Sequence, residues 1–378
     1  MRSSSGEQPA QPLPAALRVA YQPLGAGSSP KPAGGVLAAI RFGVRPDHAD
    51  AQLGWHFDQA PGLIIDVGLK PLHDAPGQLS TTMSEAVSAA TVSGNAGRAA
   101  SQAGAEFSWA ELWFATGAVQ TGQWSDPAAT VPCAIRYAHD EHYLFAVIEL
   151  DEREHGGILL TAEHAYAAMR RFQQRSGFPH LLRMWNYMDD INDGAGDLER
   201  YRQFCVGRGR GLGEMSQSYP SATAIGRQQG DHVLQVFWLA GNVPGQSLEN
   251  PRQVSAYHYP RIHGPVSPTF ARALIAPDQT LLISGTASIV GHTSRHHDDA
   301  MAQLEETARN LASFAPYVSR RRTEASKDLL KVYVRDPALM PQIAPRVREL
   351  YPRSDIIFVA ADICRRELLL EIEAVLGA

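Results

Sequence analysis

Apolar positions along this chain fall into short runs divided by polar, Gly- and Pro-rich stretches. VLAAIRF (36–42), GLIIDVGLKPL (62–72), WAELWFATGAV (109–119) and YLFAVIELDE (143–152) have the length and composition of β-strands. Between residues 161 and 177 the period changes. Ala165, Ala168, Met169 and Phe172 recur at intervals of three and four, which predicts one amphipathic helix. HVLQVFWLAG (232–241) returns to strand character, and PRQVSAYHYPRIHGP after it reads as proline-bounded extended chain.

The second half parses more cleanly. TLLISGTASI is a strand, residues 294–314 a helix opened by capping residues beginning at Ser294, LLKVYVRD a strand and ALMPQIAPRVRELY a helix. IIFVAAD and LLLEIEAVLG are the last two strands. The order β-α-β-α-β-β predicts an α+β sandwich with helices on one face of a sheet. A looser strand-then-helix order in the first half points to an internal duplication, although no residue-level repeat is visible.

The polar stretches complete the outline: a Ser/Pro/Gln/Gly-rich leader through about Pro14 that should be disordered, a loop at 25–35, and a small, polar surface excursion at 81–104. A length of 378 residues argues for two domains, and 44% hydrophobic with 19% charged residues excludes a disordered or collagen-like chain. With no signal-peptide core and no transmembrane run, the expectation is a soluble, cytoplasmic protein. Lys and Arg number 34 against 39 Asp and Glu, a formal net charge of −5. Nucleic acid is therefore not the expected partner, and an anionic ligand would need a local arginine cluster. Cys133, Cys205 and Cys364 are odd in number and widely spaced, so neither a disulfide framework nor structural zinc organises the fold.

Chemistry concentrates in a few places. On a strand, Glu371 and Glu373 share one face and Ile372 the other. If buried, such acids stay protonated and can serve as general acids; the alternative is an edge strand with two solvated carboxylates. Cys364, between that strand and the preceding one, is flanked by Arg365 and Arg366, whose charge would lower a thiol pKa; the alternative is a small buried hydrophobe. GHTSRHHDD sets His292 and His296 four apart, a weak metal pattern that serves equally as a helix start, and no metal or cofactor is expected. Arginines cluster at Arg200, Arg202, Arg208 and Arg210 and at Arg320, Arg321 and Arg322, the latter reading as a solvated patch; Arg183, Arg272 and Arg353 stand singly. Arg208, in the FCVGRGRG turn beside Tyr201, and Arg272, in FARA before a strand, have the aromatic surroundings suited to carboxylate recognition. No P-loop, dinucleotide fingerprint, G-x-S-x-G or H-E-x-x-H occurs.

From Arg261 onward the chain resembles the YjgF-like (Rid) family, through GPVSPTFARALIAPDQTLLISGTASI and the terminal LLLEIEAV. That family is a small α+β domain using an Arg for a substrate carboxylate and a last-strand Glu, which match Arg353 and Glu371 here. From about residue 130, RMWNYMDDIN, RYRQFCVGRGRG, YHYPRIHGPVSPTFARA, ISGTASIVGHTSRHHDD and ICRRELLLEIEAV together resemble the chorismatases. The resemblance implies two fused YjgF-like domains with an N-terminal extension: a leader at 1–15, an N-terminal domain at 16–255 with a degenerate YjgF-like unit, and a C-terminal YjgF-like domain at 256–378. It also implies cleavage of the enolpyruvyl ether of chorismate, with Glu371 as acid. Arg208, Arg272 and Arg353 are then candidates for the two substrate carboxylates, and Tyr201 and Tyr257 for neutral hydrogen bonds. Cys364, seven residues before Glu371, and Gly285 on the opposing strand resemble the type that forms 3-hydroxybenzoate, with or without some 4-hydroxybenzoate. The alternatives are the dihydroxycyclohexadiene carboxylate as product, an enamine or imine deaminase of the YjgF-like type, and a non-catalytic binding module. The expected assembly is a monomer or weak homo-oligomer.

Overall fold

The computed structural model describes residues 17–23, 35–43, 62–72, 109–213, 219–318 and 328–377. The expected leader, the 81–104 excursion, the loop at 25–34 and the arginines at 320–322 lie outside the described residues.

Two units share one topology. The first consists of β1 (Ala134–His139), β2 (Tyr143–Asp151), α1 (Ile158–Gln173), β3 (His180–Asp189), α2 (Arg200–Leu212), β4 (Ser221–Arg227) and β5 (Val233–Gly241). The second consists of β6 (Ala273–Ile275), β7 (Leu281–Thr286), α3 (Ala300–Ala312), β8 (Asp328–Val334), α4 (Met340–Leu350), β9 (Ser354–Ala360) and β10 (Leu370–Leu376). Their sheets run β1-β2-β5-β3-β4 and β6-β7-β10-β8-β9. In both, the third and fourth strands are parallel and the other neighbours antiparallel. The duplication expected from element order is thus present in the topology.

Alternation along the strands sets the layers. Leu330, Val332, Val334, Leu370, Ile372 and Ala374 pack against α3 and α4, while Met184, Met188, Val236 and Trp238 pack against α1 and α2. The opposite strand faces, with Trp185, Tyr187, Phe237 and Tyr333, enclose a shared central core. A four-stranded sheet ordered Arg18–Pro23, Trp109–Phe114, Val36–Phe42, Leu63–Asp66 closes that core with Trp113, Ile40 and Ile65. Each sheet takes an edge strand from elsewhere: Asp362–Ile363, between β9 and β10, pairs with β4, and Pro71–Leu72, from the N-terminal segment, pairs with β9. Among the described residues no helix is long and apolar enough to cross a membrane.

Two local expectations are corrected. FCVGRGRG is part of α2, not a turn. Glycine ordinarily weakens a helix, but a Cβ at Gly207 would overlap the Leu159 carbonyl and one at Gly211 the Glu163 carbonyl, both on α1. The two glycines, four apart, let the helix backbones touch. Helix α3 starts at Ala300, where the Asp299 carboxylate caps Ala302 N at 2.9 Å; Ser294 belongs to a short strand pair before it.

Candidate active site

The two units meet where β4 lies beside β7. The Ser284 hydroxyl accepts from Ala222 N at 2.9 Å, and the Thr223 hydroxyl accepts from Gly285 N at 3.0 Å. A cavity of about 280 Å³ opens beside this seam. The first unit supplies Tyr201, Arg202 and Arg208 from α2 and Thr223 from β4; the connecting segment supplies Tyr259, His263, Phe270 and Arg272; the second unit supplies Gly285, Cys364, Arg365, Arg366 and Glu371. Both units and the segment between them line it.

Glu371 is 4% exposed and points into this cavity from β10. A Cβ at position 285 would overlap its Oε1, so Gly285 is what admits the carboxyl to that place. Burial, reinforced by the charge of Glu373, raises its pKa to about 8, against the pull of Arg183 and Arg272. At neutral pH it is a neutral acid holding a proton. Glu373 has the opposite character: burial opposes its charge, but Lys331 and Arg183 outweigh burial and hold it well below the usual carboxylate range. The two acids share a face, as strand alternation requires, yet occupy opposite protonation states.

Arg208 and Arg272 are both buried in the lining. Arg208 sits over the Tyr166 ring and donates to the Thr269 carbonyl at 2.8 Å. Arg272 donates to the Val254 carbonyl at 2.9 Å and to the Tyr259 hydroxyl at 2.6 Å. Each has an Nε without a hydrogen-bond partner among the described residues. Five arginines line the cavity against three glutamates, one of them neutral. The lining therefore favours an anion carrying more than one charge.

Tyr201 lines the cavity as a neutral phenol, its pKa raised by burial. Cys364 is there too, but its arginine neighbours do not make it a thiolate. Burial, then the nearby Glu371, pushes its pKa up beyond what Arg365 offsets, so it stays a thiol. His263 is held neutral, its pKa lowered to about 4 by burial and then by Arg365. His292 and His296 face different partners, His263 at 3.0 Å and Glu306 at 3.2 Å. Among the described residues no group of His, Cys, Asp and Glu is arranged to hold a metal ion.

Two expected residues lie outside the cavity. Arg353 is exposed in the turn between α4 and β9, and β8 separates β9 from β10 in the sheet. Tyr257 belongs to the short 3-10 turn Ala256–His258 and packs at a tilt against Tyr219, with ring centroids 4.8 Å apart. Tyr259, two residues on, faces the cavity in its place. Sequence reasoning quoted Tyr259 and His263 within YHYPRIHG but had no period with which to orient an irregular segment. It also passed over Arg365 as a cavity residue, weighing it only as a neighbour of Cys364.

The fold and cleft define a class: an α+β enzyme built of two ββαβαββ units, with a buried acid and arginines at their junction. Residues 111–240 match the family described as Chorismatase FkbO/Hyg5-like, N-terminal. The chain is 34% identical over 261 residues to a 3-hydroxybenzoate synthase of Streptomyces hygroscopicus, covering 64% of this chain and 76% of that protein. It is also 34% identical over 289 residues to a chorismatase of Streptomyces rapamycinicus, covering 71% and 83%. A chorismatase crystal structure at 1.08 Å resolution aligns over 96% of this chain and 98% of its own, with TM-score 0.68 and 26% identity. The chain belongs to the chorismatase family.

Proposed function

We propose that this enzyme cleaves the enolpyruvyl ether of chorismate, releasing pyruvate and forming 3-hydroxybenzoate, with Glu371 as the general acid. The observation that carries this reading is a carboxyl kept protonated at neutral pH inside an arginine-lined cleft. An enol ether opens when its terminal methylene carbon is protonated, leaving an oxocarbenium ion beside the ether oxygen. Glu371 supplies that proton. Water adds to the cation, the hemiketal collapses to pyruvate and a ring alcohol, and the adding water's proton returns to Glu371. Loss of the ring hydroxyl as water then gives the aromatic product, so one water is consumed and one released.

Chorismate carries two carboxylates. Arg208 and Arg272 are suited to them by their place in the lining, their burial and their rigid support. Tyr201 is a neutral hydrogen-bonding partner. Cys364 acts as a thiol that shapes the pocket around the ring and steers the second, aromatising step. The three free cysteines fit a reducing compartment, and we place the enzyme in the cytoplasm on that ground.

The test is incubation of the purified protein with chorismate, following pyruvate and resolving ring products by chromatography. Pyruvate with 3-hydroxybenzoate is expected. Absence of pyruvate would refute the reading, and ammonia release from an amino-acid-derived enamine would replace it with deamination. The non-aromatic diol as sole product would keep ether cleavage and remove the aromatising step.

A further inference from the structure

We infer that Glu373 is a positioning residue for Glu371: as the permanently charged member of a balanced, buried ionic quartet, it holds its neighbour on β10 in the acid form. This rests on the reading of Glu371 as the proton donor and says what keeps the proton there.

The quartet lies in the core between the sheets. Lys331 on β8 is fully buried, with Nζ 2.7 Å from Glu111 and 2.8 Å from Glu373. Arg183 on β3 is 2% exposed and donates to Glu373 at 2.8 Å and to the Thr223 hydroxyl at 2.6 Å. Two indole N–H groups complete the carboxylates: Trp185 to Glu373 at 2.9 Å and Trp113 to Glu111 at 2.7 Å. Two cations therefore meet two carboxylates, and the cluster is neutral. Tyr21, Tyr187 and Tyr333 also surround it, and burial raises all three phenols, so none adds charge.

Glu371 is the fifth ionisable group, one two-residue step along the same strand face, about 6.6 Å away. Its ionisation would set a second negative charge beside Glu373, in surroundings where solvent screens little, opposed by Arg272 and by Arg183, which already donates to Glu373. The groups acting on it are Glu373, Arg183 and Arg272, with Cys364 beside it as a neutral thiol. Burial and Glu373 favour the protonated form, and the two arginines favour the carboxylate. Of the two influences that hold the proton, Glu373 is the one a substitution can remove without opening the site to water. Removing its charge leaves Lys331 and Arg183 facing Glu111 alone, and proton release from Glu371 becomes the nearest way to restore balance.

The test is the pH profile of pyruvate release from chorismate. The wild-type rate should fall as pH rises through about 8, where Glu371 gives up its proton. In Glu373→Gln, of the same shape, the alkaline limb should move down by about one pH unit or more, with roughly a tenfold loss at pH 7.5 that acidification recovers. Glu373→Gln combined with Arg183→Gln leaves the neutral Lys331 and Glu111 pair and should move the limb back up. A folded Glu373→Gln with an unmoved limb overturns the proposal, as does a double variant whose limb stays low. If Glu373→Gln does not fold, carboxyl carbon-13 titration of the wild-type protein decides. Glu373 must be ionised and Glu371 protonated at pH 6, and either result reversed sinks the idea. Turnover retained in Glu371→Gln would instead remove the proton-donor reading, while the titration reports the two protonation states whether or not the protein turns over.

Discussion

The two units share a strand order but differ at the positions that matter for chemistry. In the second unit the last strand, β10, pairs Glu371 with Tyr333 and Glu373 with Lys331 on β8. In the first unit the corresponding strand, β5, pairs Gln235 with Tyr187 and Phe237 with Trp185 on β3. The two tyrosines meet across the core, hydroxyl to hydroxyl at 2.8 Å, and fix the correspondence. At the place of the acid, the first unit has an amide. The Gln235 side chain donates to the Asp66 carbonyl at 3.0 Å and to Glu149 at 2.7 Å, so the N-terminal sheet covers this location. Where the second unit has Glu373 and Lys331, the first has stacked aromatics, their centroids 5.0 Å apart. One scaffold therefore carries a strand with two buried acids in one copy and a packed, neutral one in the other. The difference shows that the architecture supplies positions, and that protonation chemistry comes from a few substitutions within them.

The most severe way to break this contrast is Glu371→Gln, which gives the second unit the amide already present in the first. The substitution resembles the protonated acid in shape and removes its proton, so the fold should persist while pyruvate release falls about a thousandfold; circular dichroism and a coupled pyruvate assay check both halves. Arg272→Met removes a guanidinium that the Tyr259 hydroxyl and the Val254 carbonyl orient. A loss of about 1.5–3 kcal/mol of charge-assisted binding should appear chiefly as a higher KM for chorismate. Cys364→Ala should leave pyruvate release within a few-fold and shift the ring product towards the diol, as read by product chromatography; an unchanged product ratio would end the steering role. The smallest effect on catalysis belongs to Gln235→Glu. It places a second carboxyl against Glu149 in a buried position, costing about 1–3 kcal/mol of stability and leaving turnover unchanged; a rise in turnover would mean the first unit still holds a usable site.

What could be read from the chain was what is local or periodic. Alternation of period two placed Glu371 and Glu373 on one face, and the same rule, with helical spacing, recovered most strands and the core of α1. Their unequal protonation was not legible, because it depends on Lys331 and Arg183, 42 and 190 residues away from Glu373 in sequence. Helix α2 was misread as a turn because its glycines look like breakers, and only the backbone of α1 shows what they are for. Arg353 is matched by order along the chain, which carries no information on the cavity: it lies in the turn before β9, a strand that β8 separates from β10. Tyr257 and Tyr259 could not be told apart in a segment without regular period.

Because both units belong to one polypeptide, they are free to diverge. A pair of identical chains would carry every substitution twice: an amide replacing the acid would silence both clefts, and a fully packed core strand would close both. Covalent linkage separates these fates. One copy carries an amide at Gln235 under the cover of the N-terminal sheet, while the other carries Glu371 beside Arg208 and Tyr201 from its neighbour's helix. The first unit thus serves as one wall of an asymmetric cleft whose buried acid comes from the second.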